Sequence, residues 1–157
     1  MLRITNATQP KSEDSVRPKP TTKAAVELWL KAATQIVGLS HWEISVSEDA
    51  APDDAWADIE PHSLNPSATL RIGSGFDSQT PEKQTLILAH EISHLILTPL
   101  DRYTAHLEAQ HGAIWWGAWQ PGYNDHHEQT TEAIALAIAP LLPAYPMPLG
   151  KAPIERR

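Results

Sequence analysis

The sequence predicts an α+β fold, and three observations carry the prediction. Residues 21 to 37 place apolar side chains at three-and-four spacing, the signature of an amphipathic helix. Three short stretches, Trp42–Val46, Ala55–Ile59 and Ala68–Ile72, alternate apolar and polar residues as half-buried strands do. Two later stretches, 80–97 and roughly 124–142, have helical patterns apolar enough to be buried.

At 157 residues the chain is expected to form one domain. Its boundaries are placed at 21 and 143. Residues 1–20 are rich in Lys, Pro, Ser and Thr and read as a flexible tail, and 144–157 as a proline-rich C-terminal tail. The absence of cysteine excludes thiolate metal sites, disulfides and thiol catalysis together. A formal charge of -7 provides no basic footprint for nucleic acid or an anionic membrane. Neither a signal peptide nor a membrane-spanning run is visible, so a cytoplasmic location is expected.

The first helix is capped by Thr21 or Thr22, presents Ala24, Ala25, Leu28, Trp29, Ala32, Ala33 and Ile36, and stops at Gly38. The three strands follow, the last ending in the turn Gly73-Ser74-Gly75, which lacks the spacing of a phosphate loop. Thr80 then caps a helix with Pro81 in its first turn and Glu82 where the helix dipole favours an acid. Thr98-Pro99 is the expected stop. A weaker helical pattern from Leu100 to about Gly112 leads to Trp115, Trp116 and Trp119, read as core, and Pro121-Gly122 is read as a break. A final helix begins at Asn124 or Asp125 and runs through Glu128, Glu132, Ile134, Leu136 and Ile138, with Pro140 kinking its last turn.

The chemistry lies in His90-Glu91-Ile92-Ser93-His94. Two histidines four apart project from one helix face and can share a metal ion, while Glu91 beside them can take a proton from a metal-bound water. Burying two imidazoles on an apolar helix is otherwise costly, and ligation accounts for both. A catalytic zinc needs a third protein ligand and an open position. The histidine pattern that would supply it six residues after His94 is absent, since that position is Leu100 and the intermediate glycine position is Leu97. Glu128 and Glu132, four apart, are the leading candidates, ahead of Asp101, His106, His111, Asp125, His126 and His127. One carboxylate can ligate while the other accepts a hydrogen bond from a ligand imidazole; Glu128 is favoured as ligand, and the swapped assignment stays open.

With these residues the chain resembles the gluzincins, the thermolysin-like zinc metallopeptidases. His90 to Asp101 together with His127 to Pro143 look like a group of small metallopeptidases of phages and prophages. The resemblance implies a minimal zincin-like core: a supporting helix, a small mixed sheet of three or four strands with an edge lining the cleft, the metal helix and a third-ligand helix. It implies Zn2+ held by His90, His94 and Glu128, with Glu91 as base. Glu132 stands where an aspartate is common, which alters the reach of the second carboxylate. A further resemblance, to repressor-cleaving metallopeptidases of mobile elements, matches Glu132-Ala133 better as the ligand position.

The expected activity is hydrolysis of a peptide or protein substrate. The developing oxyanion needs a donor, drawn from Tyr103, Tyr123, His111 and His126, with Tyr123 preferred. The resemblance further implies a substrate lying along Ala68–Ile72 as an added strand. The competing expectation is a catalytically silent zincin-fold binding or assembly protein.

Overall fold

The computed structural model describes residues 23–52, 55–62 and 65–146. The fold is α+β, with a small mixed three-stranded sheet and two helices matching the metal and third-ligand helices of a minimal zincin-like core. Helix α1 spans Lys23–Ile36, and strands β1, β2 and β3 span Glu43–Ala50, Ala57–Pro61 and Ser67–Ile72. Helix α2 spans Pro81–His111 and α3 spans Ala113–Ile138. The expected tail at 1–20 lies outside the described residues.

Strand order is β1-β3-β2, with β1 parallel and β2 antiparallel to β3. This corrects the placement of Ala68–Ile72 as the strand to which substrate adds, because β3 is central and its hydrogen bonds are taken on both sides. β2 is an edge. Asp58 and Glu60 face β3 in the ladder, so by alternation the backbone groups of Ala57, Ile59 and Pro61 point away from it. Pro61 has no N–H to offer and is suited to that open edge.

The core joins Val26, Trp29, Leu30 and Ala33 of α1 to Val46, Ile59 and Leu70 of the sheet and Leu88, Ile92 and Leu95 of α2. The buried face of α1 is turned from the predicted one: Val26 and Leu30 are inside, whereas Leu28 and Ile36 are exposed. Gly38, at φ 77°, ends the helix. Gly73 is required by a close approach, since a Cβ there would fall 1.9 Å from the Ala55 carbonyl oxygen. The core also continues past 143. Trp29 Nε1 donates to the Pro143 carbonyl at 2.7 Å, and Tyr145 is buried with its N–H donating to Thr85 Oγ1 at 2.9 Å. A tail starting at 144 is therefore corrected up to Pro146; residues 147–157 lie outside the described ones.

Thr80 caps α2 and Pro81 occupies its first turn as expected. Neither expected break downstream is one. α2 runs through Pro99 for 31 residues, and α3 runs through Pro121-Gly122 for 26, so the two form one long hairpin turning at Gly112, φ 81°. An interior proline costs a helix about 3 kcal/mol. Ties on either side of Pro99 oppose that cost: Thr98 Oγ1 donates to His94 O, Arg102 donates to the carbonyls of His62 and Asn65, and Tyr123 donates to Asp101.

The long hairpin also changes the burial forecasts. Only Thr131 and Ala135 of α3 are buried. The tryptophans are not core: Trp115 is exposed, and Trp116 and Trp119 are half-buried against one another with ring centroids 5.3 Å apart.

Candidate metal centre

α2 delivers His90, Glu91 and His94, and the antiparallel return of α3 delivers Glu128 and Glu132 opposite them. One nitrogen from each of His90 and His94 and one oxygen of Glu128 lie within 4.8 Å of one another. Two nitrogens and a carboxylate oxygen form a donor set that zinc accepts. Asp101, His106, His111, Asp125, His126 and His127 are not members of this cluster.

His90 sits between the two glutamates. Its Nδ1 is 3.2 Å from Glu132 Oε2, and its Nε2 is 3.6 Å from Glu128 Oε2. Because a carboxylate only accepts, the Glu132 contact fixes the proton on Nδ1 and leaves the Nε2 lone pair facing the cluster. His94 makes no ring-nitrogen hydrogen bond among the described residues, and its ring packs at 4.9 Å from His90 and 5.4 Å from His127. Burial, reinforced by those two imidazoles, lowers its pKa, although Glu128 and Asp101 pull the other way. The neutral imidazole this favours is the form that ligates a metal.

Glu91, beside His90 on the cleft, reaches toward β2. Its carboxyl is buried and its pKa is pushed up to about 7, first by desolvation and then by Asp58, with Glu128 adding to the effect. A hydrogen bond from the Ile59 N–H acts in the opposite direction. The outward-pointing backbone of β2 thus already has one partner in the site. Beside Glu91 lies a cleft of about 340 Å³, lined by Ala55, Trp56 and Ala57 on one wall and by Leu86, Ile87 and His90 on the other, with Glu132 at its rim. Lys83 Nζ lies 4.8 Å above the Trp56 ring.

Tyr123 is brought to the hairpin interior, where its hydroxyl donates to Asp101 Oδ1 at 2.5 Å. Burial and this hydrogen bond push its pKa up to about 12, so the O–H stays protonated. Asp101 Oδ1 is also 3.0 Å from His127 Nε2, but out of line for a hydrogen bond, which leaves that buried nitrogen without an aligned acceptor. No sequence signal read locally joins Asp101, Tyr123 and His127 into a unit. Tyr123 and His127 are one helical turn apart, but the spacing is meaningful only if Pro121-Gly122 does not break the helix.

The geometry defines a zincin-like metal-binding cluster, histidines and glutamate on two helices, in a small α+β fold. No family model, curated protein or solved structure matches the chain.

Proposed function

We propose that the protein is a zinc-dependent metallopeptidase with His90, His94 and Glu128 as ligands and Glu91 as general base. The observation that carries this reading is the convergence of Glu128, from a helix 34 residues further along the chain, on the histidine pair, next to a cleft and a buried carboxyl. Bound there, Zn2+ supplies Lewis acidity, which lowers the pKa of a water and polarises a carbonyl. Glu91 accepts the proton from the attacking water and passes it to the departing amine. Glu132 holds His90 in the ligating tautomer.

The peptide substrate lies along the outer edge of β2, where the Ala57 N–H and C=O and the Ile59 C=O are available for strand pairing. Trp56, Leu86 and Ile87 then form an apolar pocket for a side chain next to the scissile bond. Tyr123 is assigned as oxyanion donor on the condition that its hydroxyl leaves Asp101 once substrate is bound, as catalytic hydrogen bonds tighten in the reacting complex. Among the described residues, no helix is long and apolar enough to cross a membrane. A cytoplasmic, phage-related setting belongs to the same proposal.

The test is Glu91→Gln in zinc-loaded protein, assayed on a peptide library. The variant is expected to keep one zinc and lose hydrolysis. Equal cleavage by variant and parent would refute the proposal, as would a parent that binds zinc with four protein ligands and cleaves nothing.

A further inference from the structure

The far half of the hairpin stands apart from the body. Beyond Thr104 no residue of α2 is buried, and in α3 none is buried before Thr131. On α2 one stripe of side chains runs Thr85, Ala89, Ile92, Ile96, Leu100, Tyr103, Leu107, at spacings of four and three that keep them on a single helix face. Its first part is covered. Thr85, Ala89 and Ile92 are buried, and Tyr145 closes over Thr85. The same face then opens: Ile96 is 37% exposed, Leu100 48% and Tyr103 59%, with Leu107 half-buried beyond them. At the tip Ile114 is 94% exposed.

We infer that this uncovered stripe is a self-association surface, on which the hairpin arm of a second copy packs to form a four-helix contact around a two-fold axis. The spacing of Ile96, Leu100, Tyr103 and Leu107 is that of a helix-packing seam, which calls for another helix as partner. Charge selects a second copy. In a two-fold contact each surface meets itself, so like charges face like charges. A chain of net charge -7 repels its copy over most of its surface, but residues 96–124, the arm from Ile96 onward, carry only Asp101, Arg102 and Glu108, a net charge of -1. The arm is where self-contact avoids that repulsion. A strongly charged partner would find little on it to pair with.

The size of the arm sets the strength. From Ile96 to the tip each helix is roughly 20 Å long, and two helices side by side are about 20 Å wide, a footprint of about 400 Å² before side-chain relief. That is below the roughly 600–1,000 Å² per partner of specific, stable interfaces, so only weak association, with dissociation at about 100 μM, is expected. The metal cluster lies at the base of the arm, and the cleft, on the β2 side of α2, stays open in such a dimer. The inference is independent of whether the centre hydrolyses peptides.

The experiment is sedimentation or light scattering of the full chain from about 1 μM to about 200 μM. The mass should rise from 17.3 kDa toward twice that value. Leu100→Lys and Tyr103→Lys should each weaken association at least tenfold while leaving zinc content and far-ultraviolet circular dichroism unchanged. Because the chain has no cysteine, Leu100→Cys provides an independent check: mild oxidation should trap a disulfide dimer, whereas Leu28→Cys on α1, also exposed, should not give one. A parent that remains monomeric throughout, including one whose stripe is covered by another segment of its own chain, would overturn the inference. Dimers unaffected by both lysine variants would overturn it equally.

Discussion

Replacing Glu91 by Gln should make the metal-free protein more stable, and more so at high pH. The carboxyl moves from an ordinary value of 4.5 to about 7 on folding because it is buried next to Asp58. Folding therefore favours its protonated form. The sign follows: between about 4.5 and 7 the unfolded chain gives up the proton before the folded chain does, so stability falls as pH rises through this window. At roughly 1.4 kcal/mol per tenfold, the ionised carboxylate costs about 3 kcal/mol at pH 8 and less than about 1 kcal/mol at pH 5. Gln is nearly isosteric, keeps an acceptor for the Ile59 N–H and carries no charge. Urea unfolding of parent and Glu91→Gln, both stripped of metal, should show the variant ahead by about 2–3 kcal/mol at pH 8 and by much less at pH 5. Equal differences at the two pH values, or a less stable variant at pH 8, would refute the claim that Glu91 is a buried, destabilised carboxyl. Zinc should narrow the gap, because a nearby dication favours the carboxylate.

Three other outcomes are expected. Glu132→Gln should weaken zinc binding about 10–100-fold without abolishing it, as removal of a ligand-orienting carboxylate does, while Glu128→Ala should weaken it further; a competitive chelator titration measures both. If Tyr123 donates to the oxyanion, Tyr123→Phe should lower kcat by about 10²-fold or more with KM and zinc affinity nearly unchanged, and an unaltered kcat would remove it from the catalytic set. Gly73→Ala should destabilise the fold by about 1–3 kcal/mol or more in denaturant titration, because the new methyl meets the backbone oxygen of Ala55, which has no rotamer to escape into.

Local patterns in this sequence were readable where a single physical cause dominates. Alternation located all three strands, and the pair His90/His94 with Glu91 needed only helical spacing and the cost of burying imidazoles. The prolines misled. Read locally, Pro99 and Pro121-Gly122 terminate helices, but contacts distant in sequence, such as Tyr123 with Asp101 and Arg102 with the His62 and Asn65 carbonyls, oppose the breaks. A break at Pro121-Gly122 leaves the tryptophans no long arm to decorate, so by sequence they read as core. The centrality of β3 was equally hidden, because alternation in one strand carries no information about its neighbours. Tyr145 is hidden for a related reason: proline-rich composition reads as a tail, yet one aromatic ring packed edge-on against Phe76 at 5.5 Å helps to anchor the segment.

The account depends on two distant helices closing on one ion. Its most direct test is the structure of the zinc-loaded protein. One zinc should be found with nitrogens of His90 and His94 and a carboxylate oxygen of Glu128 each at about 2 Å, with Glu91 outside the coordination shell and facing an open position. A zinc ligated by Glu132 with Glu128 turned to solvent, or an ion that leaves α3 out altogether, would contradict it.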